Sequence, residues 1–290
     1  MKKLTVFCAA ACLAASAAAQ NHPDLHEVLD RQKGRNLIEI PKGTYTLDVR
    51  SNGPYKFHNL TDVHINGNGS TVICNNQEQA FSFYNCVRVE LHDLTIDYDP
   101  LCFTQGEITA VAEDGSWFDV RIDEGYPVTG LAANRVQFYD PQTRLLKRNS
   151  ITTYTSNYSA LKQLGHNLFR AVKNGTWSAG EQVGDLVVMD VKTDKPNAGV
   201  HTVMLNKCYN TKLENVTVYG SNTFSFFEKE GYANEYRNCV VDRGPMPQGI
   251  RPRLRSGNAD GIHSSQARKG PTVTGCKVGH NLSLIHISEP

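Results

Sequence analysis

Apolar residues along this chain recur in short runs with a two-residue alternation, broken by Asn, Asp and Gly, and amphipathic helical stripes are scarce. A six-residue pattern, apolar-x-Asn/Asp/Gly-apolar-x-Val/Ile, occurs at residues 60–65, 91–96, 213–218, 236–241 and 273–278. The steps between copies are 31, 122, 23 and 37 residues. Short strands returning at 20 to 50 residues through Asn/Gly turns predict a stacked solenoid, so the expected fold is all-β, a right-handed parallel β-helix whose apolar positions form ladders inside the coil.

Six cysteines follow the N-terminal region: Cys74, Cys86, Cys102, Cys208, Cys239 and Cys276. Cys239 and Cys276 fill the same inward slot of the pattern, and Cys86 and Cys208 each stand five residues before its first position. Cysteine behaves as a small buried apolar residue, so this register predicts ladder rungs rather than disulfides or ligands. No two of them have the C-x-x-C spacing of a zinc site.

The 122-residue step is too long for one coil, which predicts an inserted small β-barrel-like domain over residues 103–196. Within it, residues 107–111 and 117–122 read as a hairpin across 113–116, and residues 136–139 and 186–191 as further strands. Residues 21–32 read as a short helix capping the open first coil. The expected division is a leader at 1–19, cap and first coils at 20–102, the insert at 103–196, and further coils at 197–281.

The leader reading rests on Lys2 and Lys3, an apolar run over residues 4–13, and Ala17 and Ala19 as a small-residue cleavage signal. Cleavage after Ala19 implies a secreted or periplasmic protein. A lipid anchor on Cys12 is the weaker alternative, because the residues before it lack the usual leucine. The apolar run is shorter than the ~20 residues a membrane span needs, so no membrane span is expected. Removing the leader leaves 28 basic against 29 acidic residues, a net charge of −1 that gives no electrostatic footprint for nucleic acid.

Residues 282–290 read as the in-frame translation of a transposon adapter used to prepare sequencing libraries. Natural sequence would then end near Asn281. The alternative is a genuine strand, since Leu282, Leu284 and Ile285 are apolar.

Candidate chemistry centres on Asn258, Ala259, Asp260, Gly261, Ile262 and His263, a carboxylate in a turn between strand-like repeats. Three sets of residues resemble the bacterial β-helix α-1,3-galactosidases of glycoside hydrolase family 110. They are residues 94–100 leading into 103–106, residues 236–239, and residues 258–264, and the resemblance spans about residues 25–281. It implies a β-helix with an inserted barrel that removes terminal α-linked galactose with inversion and no cofactor.

The family's catalytic aspartates include one in the N-A-D-G motif, matched by Asp260, and a consecutive pair one coil later. That pair would fall about 23 residues on, at Ser283 and Leu284. An inverting glycosidase needs an acid and a base carboxyl ~6.5–9.5 Å apart, so the chain by itself is expected to be inactive.

Other readings stay open at each position. Asp260 is equally consistent with an Asx turn that caps backbone N–H groups. Gly261 reads as a residue needing a left-handed backbone. His263 reads as a sugar-binding group or a solvent-facing solenoid histidine. Glu228 and Glu230 lie one coil earlier, where alternation can aim both at the face of Asp260 as substrate-binding groups, or they form a charged turn. Arg251, Arg253 and Arg255 alternate just before the motif, with Arg255 as a substrate-binding candidate and solvated loop charge as the alternative.

Asp97 and Asp99 could ligate calcium, but Pro100 marks a turn there, and no metal site is assigned. The partner implied is a glycan. The functional alternatives are a polysaccharide lyase and a non-catalytic glycan-binding or adhesion β-helix.

Overall fold

The computed structural model describes residues 22–192, 200–281 and 283–288. The leader, Cys12, the junction expected at 196–197, Leu282 and the last two residues lie outside the described residues. Leu25–Asp30 forms a helix, with the Asp24 carboxylate accepting from the His26 N–H, and it buries Leu25 and Leu29 against the first coil. The i, i+4 spacing of these leucines puts both on one face, as a cap requires.

The chain then winds into a parallel β-helix. One parallel sheet contains Thr61–Cys74, Val87–Tyr98, Lys212–Val218 and the shorter strands beyond them. A second stacks Tyr55–His58, Phe81–Tyr84, Val203–Asn206, Phe226–Lys229, Asp260–Ser265 and Ser283–Ser288. Inside, Phe57, Phe83 and Leu205 stand in register, with the Phe57 and Phe83 rings stacked at 4.8 Å. Such ladders bury apolar surface worth ~25 cal/mol per Å² and fix the register, because a one-residue slip would turn each side chain outward.

The six-residue pattern has a conformational cause. Its third position is held at positive φ in every copy: Asp62 (55°), Asp93 (57°), Asn215 (53°), Asn238 (52°) and Gly275 (66°). Asn, Asp and Gly tolerate that left-handed corner best. The last four stand one above another, and Asn215 Nδ2 donates to Asp93 Oδ1 at 2.8 Å.

The first copy is out of register, which corrects the 31-residue step. Ile65, not Leu60, pairs with Leu91, and a bulge falls between Asn66 and Ser70. Gly67 makes room for it, since a Cβ there would lie 2.4 Å from the Asp93 carbonyl oxygen.

The cysteines are free thiols stacked as expected, with Cys208 one rung above Cys86 and Cys276 one rung above Cys239. Their sulfurs donate to carbonyls of the preceding coil, Cys86 to Phe57 and Cys239 to Leu213.

Between Val87–Tyr98 and Lys212–Val218 the chain leaves the solenoid for a six-stranded antiparallel sheet. It runs in the order Tyr158–Gln163, Leu168–Lys173, Trp117–Ile122, Phe103–Val111, Leu186–Asp190, Gln137–Tyr139. The sheet curls around its own core of Ile108, Phe118, Phe138 and Val187, with Phe118 edge-on to both Phe138 and Tyr158. The hairpin expected from 107–111 and 117–122 forms, with its first strand starting earlier, at Phe103. The 158–163/168–173 hairpin was not legible in the sequence, because its exposed strand carries Ser159, Lys162 and Gln163 rather than a clean apolar alternation.

The alternating arginines tie the loop before Asp260 to both bodies, Arg253 to the solenoid and Arg251 and Arg255 to the insert. Arg253 forms two 2.8 Å bonds to the Asp97 carboxylate, and Arg255 reaches Asp190 at 2.9 Å and the Arg135 carbonyl at 3.1 Å. Arg251 pairs with Asp123 at 3.1 Å. Burial pushes the Asp97 and Asp190 carboxyls upward, opposed by these guanidinium groups. Among the described residues, no helix is long and apolar enough to cross a membrane.

Candidate functional site

Asp260 opens the strand Asp260–Ser265 and is 8% exposed. Its neighbour Gly261 does not occupy a left-handed conformation, so the sequence expectation for that glycine is corrected. The requirement is space: a Cβ there would sit 2.1 Å from Val278 Cγ1, inside the coil. With Gly261 pressed against the interior, Asp260 lies on the outer side. There its Oδ2 meets His263 Nδ1 at 2.7 Å. The carboxylate's side-chain partner is therefore a histidine, not the backbone N–H groups of an Asx turn.

His263 is not a freely solvated histidine. Its ring stacks on Phe224 at 4.2 Å, and Phe224 stacks in turn on His201 at 4.7 Å. The Thr223 hydroxyl donates to the Val200 carbonyl at 2.6 Å and so must accept from His201 Nδ1 at 2.9 Å. That assignment leaves Nε2 of His201 as the unprotonated nitrogen. Burial, reinforced by the nearby His263, lowers the His201 pKa to about 4 and keeps this ring neutral near pH 7. Neither His201 nor Phe224 stood out in the sequence, because their contact depends on two coils stacking. The Phe224-Ser225-Phe226-Phe227 run carried the only signal.

The other sequence candidates are placed elsewhere. Glu228 shares the inward register of Phe57, Phe83 and Leu205 and is 0% exposed, accepting from Asn234 at 3.0 Å and Ser264 at 3.2 Å. Burial raises its pKa. Alternation aims it into the solenoid, away from any glycan on the outer face.

Glu230 stands at the following corner with φ 53°, opposite Lys207 at 3.7 Å. Arg255 is 1% exposed and bonded to Asp190, which makes it a fastener rather than a substrate-binding group. Asp97, read as a possible calcium ligand, is taken by Arg253.

The residue in register with Asp260 one coil on is Ser283, 23 positions later, where the sequence placed the next catalytic group. His286, on that same strand, approaches Asp260 to 3.7 Å. The ligand atoms of Asp260, His263 and His286 lie within 4.8 Å of one another.

A cleft of about 490 Å³ opens where the insert meets the solenoid. Asn134, Arg135, Asp190 and Lys192 line it from the insert side, Asn222 and Thr223 from the solenoid. Thr223 precedes Phe224, and the next residue, Ser225, donates its N–H to the Asp260 carbonyl at 3.1 Å. Cleft and carboxylate thus lie along one short segment.

No protein-family model matches the sequence, and no curated protein matches it. Among solved structures, the chain is similar to a provisionally assigned glycosyl hydrolase from Parabacteroides merdae, at 10% identity and a TM-score of 0.34, over 90% of this chain and 82% of that one. It is also similar to the tailspike protein gp49 from Pseudomonas phage LKA1, at 13% identity and a TM-score of 0.23, over 82% of this chain and 47% of that one.

Proposed function

We propose that the protein is a secreted carbohydrate-active enzyme, a glycoside hydrolase in which Asp260 is one of two proton-transferring carboxylates and α-1,3-linked galactosides are the substrate class. The supporting observation is the Asp260 carboxylate held 2.7 Å from His263 Nδ1, whose ring stacks on Phe224, the residue after the cleft-lining Thr223. In an inverting hydrolysis one carboxylic acid protonates the glycosidic oxygen, while a carboxylate takes a proton from the water attacking the anomeric carbon. Asp260, already accepting from an imidazole N–H, has its remaining lone pairs available for that water, so the base is its assigned role.

The acid is expected one coil further on. Ser283 holds that position here, in the segment we propose to be adapter-derived, so this chain is expected to release no galactose from α-1,3-galactobiose. Release by this chain would overturn the two-carboxylate mechanism. With an Asp pair at the positions of Ser283 and Leu284, turnover to β-galactose is expected. Asp260→Asn should then lower kcat by about 10²–10⁴-fold with little change in KM. Full turnover in that variant would remove Asp260 from the chemistry.

The same Asp260–His263 contact favours one second reading. With Asp260 orienting the ring, His263 Nε2 becomes a base able to remove the proton beside a uronate carboxyl, which is lyase chemistry. Growth of ultraviolet absorbance from an unsaturated sugar on incubation with polyuronate would select it.

A further inference from the structure

We propose that the cleft between insert and solenoid is a subsite for an anionic sugar unit, one carrying a carboxylate or sulfate ester, bound through Arg135 and Lys192. The inference rests on the reading that a glycan lies across Asp260, and extends it by assigning the chemistry of the adjoining unit.

Charge is the first argument. The charged described residues lining the cleft are Arg135, Lys192 and Asp190, two cations to one anion. Asp190 cannot neutralise both. Its carboxylate is already shared between Arg255 at 2.9 Å and Arg135 at 3.1 Å, with Asn134 Nδ2 at 2.9 Å. Its buried partner Arg255 adds a further positive charge behind the cleft wall. His201, beside Thr223, is neutral near pH 7 and does not alter this balance. A cleft with an excess of positive charge and low-dielectric walls focuses that field on whatever enters.

Shape and backbone supply the second argument. The volume falls in the ~300–1,000 Å³ range of small-molecule sites. Arg135 adopts φ 44°, a conformation that residues with a side chain rarely take, and such strained positions cluster at ligand clamps. Asp190 fixes one face of its guanidinium, and the Arg135 side chain keeps 24% exposure toward the cleft side. Asn222 and Thr223 form the opposite wall with side chains already held by Gln77, Asn258, Val200 and His201, which fixes the cleft's shape.

Position supplies the third. Asn222 and Thr223 line the cleft, Phe224 stacks on His263, and Ser225 bonds Asp260. A glycan reaching the carboxylate along this segment places its next unit in the cleft.

The test is calorimetry on this chain with three disaccharides: α-1,3-galactobiose, the same sugar with the second ring oxidised to a uronate, and the same sugar with that ring 6-sulfated. An anionic form is expected to bind about 10-fold more tightly than the neutral one at low ionic strength, an advantage that salt reduces. Whichever anionic form shows the advantage identifies the anion.

In Lys192→Gln and in Arg135→Gln the ratio of anionic to neutral affinity should fall to within about twofold. Lys192 is exposed, so its variant retains the fold if Arg135→Gln does not. Equal affinity for all three sugars, or a preference that survives both substitutions, overturns the proposal. If galactobiose binds without any anionic preference, the cleft assignment fails while the galactoside reading stands. If a simple methyl glucuronide binds as well as the acidic disaccharide and loses affinity in Lys192→Gln, the cleft assignment stands and the galactoside reading fails.

Discussion

At Glu228, two residues of alternation decide between a sugar ligand and a core carboxyl. Phe226 and Glu228 point inward, Phe227 outward beside His263. Sequence showed an acidic side chain one coil from Asp260 but not the phase of the strand, because the turn before Phe226 sets it. Asp260 itself was legible from its motif. Its partner His263 was one reading among two, and the stacked Phe224 and His201 that hold it were invisible until the coils were stacked.

A buried carboxyl with a raised pKa has a distinct pH signature. Its folded-state pKa lies above the unfolded value, so its favourable contribution is complete below the unfolded pKa and is lost as pH rises through the folded one. Glu228→Gln keeps an acceptor for Asn234 and a donor for Ser264, so it should match the parent in stability near pH 4. At pH 8 it should exceed the parent in urea unfolding, because the parent then carries the cost of a buried carboxylate that the amide does not. Unchanged galactobiose affinity in the same variant is also expected. A large loss of affinity would return Glu228 to the binding site.

At the scale of the strand and its corners, the sequence disclosed the repeat better than its register. Four of the five copies stack because Asp93, Asn215, Asn238 and Gly275 share a left-handed corner that the residue types announce. The first copy fails because its corner residue Asp62 stands over Arg88 rather than Asp93, and a repeat search cannot separate two left-handed corners when both are flanked by apolar residues. The strand Asp260–Ser265 depends on a different kind of glycine. Gly261→Ala would place a methyl against Val278 and should destabilise the protein by roughly 1–3 kcal/mol. Adding Val278→Ala should make the double variant less unstable than the sum of the two single changes. Strict additivity in urea unfolding would show that Val278 is not what Gly261 accommodates.

At the scale of the whole molecule, repeat spacing pointed to a solenoid with an insert, while the arginines at the joint were read as a substrate-binding group or solvated loop charge. Arg251, Arg253 and Arg255 look alike in sequence, yet their side chains are 40%, 5% and 1% exposed. Breaking a buried pair leaves an uncompensated charge, whereas exposed pairs contribute little. Arg255→Ala and Arg253→Ala should therefore each cost about 3 kcal/mol or more, and Arg251→Ala less than about 1 kcal/mol, in the same unfolding assay. Equal effects at all three would contradict the fastening role.

The rung that carries this insert is continuous: Leu91 pairs with Leu213 across 122 residues as directly as Leu213 pairs with Tyr236 across 23. Because closure entropy grows only with the logarithm of length, the longer loop adds about 1.5 kcal/mol, which the paired strands and a separately packed insert core readily offset. A coil corner is thus a port at which a folded cargo can be spliced in without the layers above or below registering the change, so such a chain can acquire a new wall for its cleft in a single genetic step.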